Sequence, residues 1–302
     1  MRKQFCDAMV ARASIQDAMV FLTGDLGFMA LEPLQQALGE RFINAGVSEQ
    51  NMVSVAAAMA REGLEPWVYS IAPFCYARPF EQIRNDITFH GLSVRLVGNG
   101  GGYGYGVMGP THHAIEDYGV MLSLPNMRVY APVFDEDVTE VVPCIGATSS
   151  AVYLRLGRGE PPKGYVVPKY APWRQFTKGR GGTVIAVGAL ASTYIEALLA
   201  LEEKLRPNLW AVAELPLETN PLPPDLLNEI KATSCLLAAE EHVTRGSFGS
   251  ELALHLLSRG ILPQRFVHLH ALAHRYERYG SQAYLRKQSR LDAVSLIATM
   301  NP

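Results

Sequence analysis

Short, almost wholly apolar runs recur between segments of helical character, and this alternation restricts the chain more than any other feature. Residues 18–27, AMVFLTGDLG, read as a buried strand ending in a turn, and 42–47, FINAGV, as a short second strand. EPWVYS, SVRLVGN, MRVYAPV and AVYLRLGR (151–158) have the same character. Residues 3–18 precede the first run, 48–63 and 77–86 lie between later ones, and all three space their apolar residues as helices do. In 48–63, Ser48 stands where an N-cap is expected and Gly63 just past the end. Apolar strands alternating with helices predict a parallel sheet covered on both faces, because each crossover lays a helix over one face.

The pattern is interrupted once. Residues 159–182 carry four prolines and five glycines with no apolar periodicity, which predicts a connection between domains. TVIAVGA (183–189) then starts a second unit: a helix near 191–204, strand LWAVAEL, a helix near 224–231, strand CLLAAEE and a helix over 248–258. The fold class expected is α/β, with two α/β domains: residues 1–160, a linker over 161–180, and residues 181–302.

Composition excludes several functions. A net charge of −2 gives no electrostatic footprint for nucleic acid or an anionic membrane. No apolar run approaches the roughly 20 residues of a membrane span. Asp7, Arg12 and Asp17 interrupt the N-terminal segment, so it is not read as a signal peptide. Cys6, Cys75, Cys144 and Cys235 are scattered, which suits a reducing cytoplasm and no cysteine-based zinc site.

Residues 101–117, GGYGYGVMGPTHHAIED, hold a match to G-x-G-x-x-G at Gly104, Gly106 and Gly109. A dinucleotide fingerprint needs its first glycine at the strand end and its third inside a helix. Here the strand is expected to stop near Gly98, and Pro110 follows the third glycine, so the match is poor. Tyr103, Tyr105, Val107 and Met108 would be costly to leave in water together, so the loop is expected to pack on a ligand or another chain. Glu49, in the first turn of its helix, is explained by the helix dipole alone. His268, His270 and His274 in HLHALAH have spacings a metal uses, but alternation along a strand explains them more simply. Glu240, Glu241 and His242 end a strand and leave open a polar helix start or an interface.

Taken in order, GVSEQN (46–51), IAPFCYARPFEQIRND, GPTHHAIEDYGVMLSLPNM and VYLRLGR resemble the transketolases, in the half carrying the pyrimidine-binding and C-terminal domains. TVIAVGALASTYIEALLAL, CLLAAEEHVTRGSFGSELALHLL and YGSQAYLRK resemble that C-terminal domain, so the likeness spans nearly the whole chain. The resemblance implies thiamine diphosphate as cofactor, whose aminopyrimidine takes the proton from the thiazolium C2. It implies that Glu49 hydrogen-bonds the far pyrimidine nitrogen, that Phe74 provides the aromatic bed, and that Ile71 stands where another aromatic often lies. His112 inherits the place of a histidine that binds substrate oxygens near the reacting carbonyl. Arg158 and Arg2 correspond to arginines that bind the sugar phosphate.

Two departures from the family follow. Met108 replaces the aspartate that usually precedes GPTH and contacts a substrate hydroxyl. The Gly-Asp-Gly…Asn motif that holds the diphosphate and a divalent metal (Mg or Ca) is missing; Gly24-Asp25-Leu26-Gly27 lies in the wrong domain for it. The resemblance therefore implies a split enzyme. An N-terminal transketolase-like subunit would carry that motif, and the two would form an α2β2 heterotetramer that moves a two-carbon ketol unit from a ketose to an aldose. The beta subunit of a 2-oxo-acid dehydrogenase and 1-deoxyxylulose-5-phosphate synthase are the alternative enzymes. A non-catalytic interaction subunit is the alternative of another class.

Overall fold

The computed structural model describes residues 1–274, 276–277 and 279–300, and the alternation folds into two sheets. The first contains β1 (Met19–Thr23), β2 (Phe42–Asn44), β3 (Glu65–Ile71), β4 (Arg95–Asn99), β5 (Met127–Tyr130) and β6 (Ala151–Leu156). These six are parallel, in the order β5-β6-β4-β3-β1-β2. The remaining strands are β7 (Trp173–Thr177), β8 (Thr183–Val187), β9 (Asn208–Val212), β10 (Glu214–Leu215), β11 (Leu236–Glu240) and β12 (Phe266–His270). The second sheet runs β12-β11-β8-β9-β7, with β7 antiparallel at its edge. β10, next in sequence after β9, crosses back and pairs antiparallel with β5 of the first sheet.

Strand periodicity sorts the core. Met19 and Phe21 of β1, with Trp67 and Tyr69 of β3, bury one face of the first sheet under Phe5, Met9, Val138 and Val141. Those covering residues lie on helices Arg2–Ala13 and Val138–Ala147. Val20, Leu22 and Val68 face the other side, under Met52 and Val53 of helix Glu49–Arg61. This second core continues through Ile185, Val187, Trp210 and Phe248 of the second unit, so the two sheets share one apolar interior. Each large side chain so buried contributes about 1.5–3 kcal/mol, which fixes the strand edges that carry the site.

Several expectations need correction. The stretch expected to be only linker contains β7, which pairs with β9. Its pattern hides the strand because the buried Arg174 is a charged residue, tied to Asp137 by an ion pair, Nη1 to Oδ1 being 2.9 Å. The helix expected near 191–204 is a 3-10 turn over Gly188–Thr193 followed by Ile195–Leu199. Ser48 occupies the N-cap position, but its side chain makes no capping bond; its carbonyl accepts from Met52 N instead, 2.9 Å. Gly63 does lie just past the helix, with φ +86°.

A buried polar cluster joins the two units. The Arg155 Nε–H donates to Asp117 Oδ2 at 2.7 Å, and Nη2 donates to the Glu241 carbonyl at 2.8 Å. The Tyr118 hydroxyl donates to Glu240, and its ring stacks on His242 with centroids 4.2 Å apart. Glu240 also accepts from Phe248 N and Gly249 N, so the run 240–242 serves both as a helix start and as an interface. Burial is the largest influence on Glu240 and opposes its charge, yet His268, His242 and the Tyr118 hydroxyl together outweigh it and hold the carboxyl below the usual range.

Part of the glycine-rich loop packs against the second domain, at Tyr103 and Gly106, while Val107 and Met108 stay exposed. Tyr103 is buried, its hydroxyl donating to the Leu272 carbonyl at 3.3 Å. A Cβ at Gly106 would stand 2.4 Å from the Gly280 carbonyl oxygen, so only glycine permits this approach. β4 ends at Asn99, and only 3-10 turns, Gly106–Met108 and Pro110–His112, occur before helix Asp117–Leu122. That geometry does not match the dinucleotide fingerprint.

Candidate active site

In a parallel sheet the strand carboxyl ends and the loops leaving them form one rim, where ligands bind in open α/β folds. The first unit's strand ends and the residues that follow them emerge on that rim. Gly24 follows β1, and Glu49 opens the helix after β2. Ser70 and Ile71 end β3, Phe74 lies on the short helix Ala72–Tyr76, and Arg78 follows it. Asn99 ends β4 and leads into the loop bearing Met108 and His112, while Arg158 follows β6.

Glu49 is only 5% exposed. Its Oε1 accepts from Arg78 Nη1 at 2.8 Å, and Arg78 is 44% exposed. The same guanidinium lies 3.8 Å from the centroid of the Phe74 ring. Phe74 in turn meets the His112 ring edge-on, centroids 5.2 Å apart, and His112 faces Tyr105 at 6.3 Å. Tyr105 is fixed by Asn99, whose Nδ2 donates to the tyrosine oxygen at 2.6 Å. Beyond Tyr105 opens a cleft whose lining includes Arg2, Lys3, Asn99, Arg158 and Gln282. A continuous line of side chains thus runs from a buried carboxylate, past an aromatic ring and an imidazole, to a basic cleft.

Two details mark the carboxylate end as a built pocket. Ser70 Oγ is buried without a hydrogen-bond partner among the described residues. A Cβ placed on Gly24 would sit 3.7 Å from both Glu49 Oε1 and Ser70 Oγ, so the bare glycine leaves space beside them. A carboxylate, an unsatisfied hydroxyl and a partly exposed ring suit a flat heteroaromatic group with polar edges.

The family profile described as transketolase, pyrimidine binding domain, matches residues 1–163, more than half of the chain. The chain belongs to the transketolase family. That family depends on thiamine diphosphate, and within it this chain is the C-terminal subunit type of a split transketolase, a transferase. An apulose-4-phosphate transketolase subunit from Phocaeicola vulgatus is 26% identical, over 88% of this chain and 86% of that protein. The 6-deoxy-6-sulfo-D-fructose transketolase subunit SqwH of Clostridium sp. is 28% identical, over 98% and 92%. A solved split gene transketolase, an inactive beta4 tetramer, superposes with TM-score 0.83 at 28% identity, covering 99% of this chain and 96% of that one.

Against this family background the structure gathers Glu49, Ile71, Phe74 and His112 on one rim, with Met108 exposed four residues before His112. Arg2 and Arg158, far apart in sequence, line one cleft. Gly24, Ser70 and Arg78 are not singled out by the sequence. Gly24 belongs to the rejected Gly24-Asp25-Leu26-Gly27 run, and its Asp25 is bound locally to Asn44, Nδ2 to Oδ1 3.0 Å. The three histidines of HLHALAH go separate ways: His268 to Glu240 at 2.7 Å, His270 to Thr244 at 3.1 Å, His274 to Glu116 at 2.8 Å. Acids accompany two of them, on different elements and without a signal in the local sequence.

Proposed function

We propose that this subunit supplies the pyrimidine half of a shared thiamine diphosphate site and the substrate cleft beside it. The line from Glu49 through Phe74 and His112 to the basic cleft is the observation that carries the reading. When bound, the cofactor supplies a nucleophilic carbanion at its thiazolium ring. Glu49 holds the far pyrimidine nitrogen and shares a proton with it, Phe74 and Ile71 form the apolar bed, and Ser70 Oγ gains the partner it lacks. His112 donates to the substrate oxygen that becomes an alkoxide, and its ring is oriented by Thr111, with Oγ1 and Nδ1 3.0 Å apart.

The cleft favours sugars ending in an anionic group, since Arg2, Lys3 and Arg158 face it and the two named relatives act on phosphorylated or sulfonated sugars. Met108 offers a substrate hydroxyl no carboxylate, so the hydroxyl pattern accepted differs from that of a transketolase with aspartate there. The diphosphate and its divalent metal, Mg or Ca, belong to a partner that carries Gly-Asp-Gly…Asn, in an α2β2 heterotetramer. Exposed apolar side chains near this rim suit that partner: Val47, two residues before Glu49, is 72% exposed, and Phe28 and Met29 are 85% and 81% exposed. No helix among the described residues is long and apolar enough to cross a membrane. All four cysteines are free, which suits a reducing cytoplasm, and the sugar substrates of the named relatives favour a role in carbohydrate metabolism.

The test is Glu49→Ala in the reconstituted pair. Ketol transfer is expected to fall at least about 100-fold, as for loss of a proton-transfer group, with assembly retained. Undiminished transfer would remove Glu49 from the mechanism.

A further inference from the structure

Among the described residues, Arg78 touches both ends of the pyrimidine pocket. Its Nη1 binds Glu49 at 2.8 Å, and its guanidinium carbon lies 3.8 Å from the centroid of the Phe74 ring. That separation is the thickness of one stacked layer, so on this face of Phe74 the guanidinium occupies the place of a planar ring. The contact with Glu49 is also one that an ionised carboxylate makes, whereas a carboxyl that donates to a ring nitrogen carries a proton. Arg78 and an aminopyrimidine therefore compete for the same ring face and the same oxygen.

We propose that Arg78 is a positioning residue acting as a removable plug: it occupies the pyrimidine place in the free subunit and is displaced when the cofactor seats. This rests on the cofactor reading above. The displacement is energetically modest, because the side chain is 44% exposed. A partly solvated ion pair and one cation–π contact are each weak. The plug keeps a buried carboxylate paired and an aromatic face covered until a cofactor anchored elsewhere by its diphosphate can take over both. It thereby couples cofactor seating to assembly with the partner, and it biases the isolated subunit against holding the cofactor alone.

Calorimetric titration tests the plug without reference to turnover. Thiamine is titrated into the isolated full chain, and thiamine diphosphate with Mg²⁺ into the reconstituted pair. In both, Arg78→Ala is expected to bind about tenfold more tightly than the unsubstituted protein. Arg78→Lys, which keeps charge but loses the planar stack, is expected to fall between them. In a Glu49→Gln background the gain from Arg78→Ala shrinks, because half of the plug's hold is already gone. Coincident urea unfolding curves confirm that the variants are folded. Unchanged or weaker binding in Arg78→Ala, beside normal binding by the unsubstituted pair, overturns the plug and leaves the cofactor reading standing. A pair that binds no thiamine diphosphate in any variant overturns both.

Discussion

The polar cluster between the two units and the rim carrying Glu49 are built from the same residue types, and they differ in completeness. At the junction, Asp117, Arg155, Tyr118 and Glu240 are buried and bonded, and the partly buried His268 bonds Glu240. At the rim, Ser70 Oγ is unpartnered among the described residues, Arg78 is half exposed, and Phe28, Met29 and Val47 stand in solvent. A closed network gives rigidity, because each buried charge already has its counterpart. An open one signals that counterparts arrive from outside the chain. The junction holds the second domain on the first, and in the proposed reading the rim receives a cofactor and a partner.

Four variants sharpen that contrast, in order of expected effect. Asp117→Ala strands the Arg155 guanidinium in a dry interior, and loss of one member of a buried pair costs about 3–5 kcal/mol. Urea unfolding should show that loss, with no comparable loss for Arg78→Ala at the rim. His112→Ala in the assembled pair should lower kcat about 100-fold, the effect of removing one donor to a developing oxyanion, while the urea midpoint stays in place. Phe28→Ser with Met29→Ser should weaken association with the partner about tenfold, since each exposed apolar side chain that becomes buried contributes roughly 1.5–3 kcal/mol at most; sedimentation of mixed subunits reads this directly. An unaltered association constant would move the interface away from the loop after Gly24.

The smallest effect concerns acid. Glu240 is held below the usual carboxylate range in the folded protein, so the unfolded chain binds its proton more tightly. Its stabilisation is present above the ordinary glutamate pKa of about 4.3 and is lost as the pH falls through the lower native value. Glu240→Gln should cost about 1 kcal/mol near neutral pH, and the gap to the unsubstituted protein should close below about pH 4. Unfolding curves at about pH 7, 5 and 3 check it; a gap that widens in acid contradicts the assignment.

Much of the first sheet is legible in the sequence because its strands are apolar on both faces, which leaves a continuous run. β7 is not, since its buried Arg174 is charged and its partner Asp137 lies 37 residues away. β10 has two residues and joins the other unit's sheet, which no local pattern specifies. Helices Glu32–Leu38, Val138–Ala147, Gln282–Gln288 and Ala293–Met300 also escape the sequence pattern. At the site, the order of GVSEQN, IAPFCYARP and GPTHH brings out Glu49, Phe74 and His112. The neighbours Gly24, Ser70 and Arg78 become visible only when strand ends are set side by side. Tight packing of the glycine-rich loop is legible from its aromatic residues, but its packing partner is not, because Gly280 and Leu272 are remote in sequence.

Complementation of the two subunits tests the central claim most directly. Ketol transfer with thiamine diphosphate and Mg²⁺ is measured for this chain alone, for the diphosphate-binding partner alone, and for their equimolar mixture. The account predicts transfer only in the mixture, saturating at one copy of each subunit. Cofactor-dependent transfer by the isolated, pure chain would contradict it.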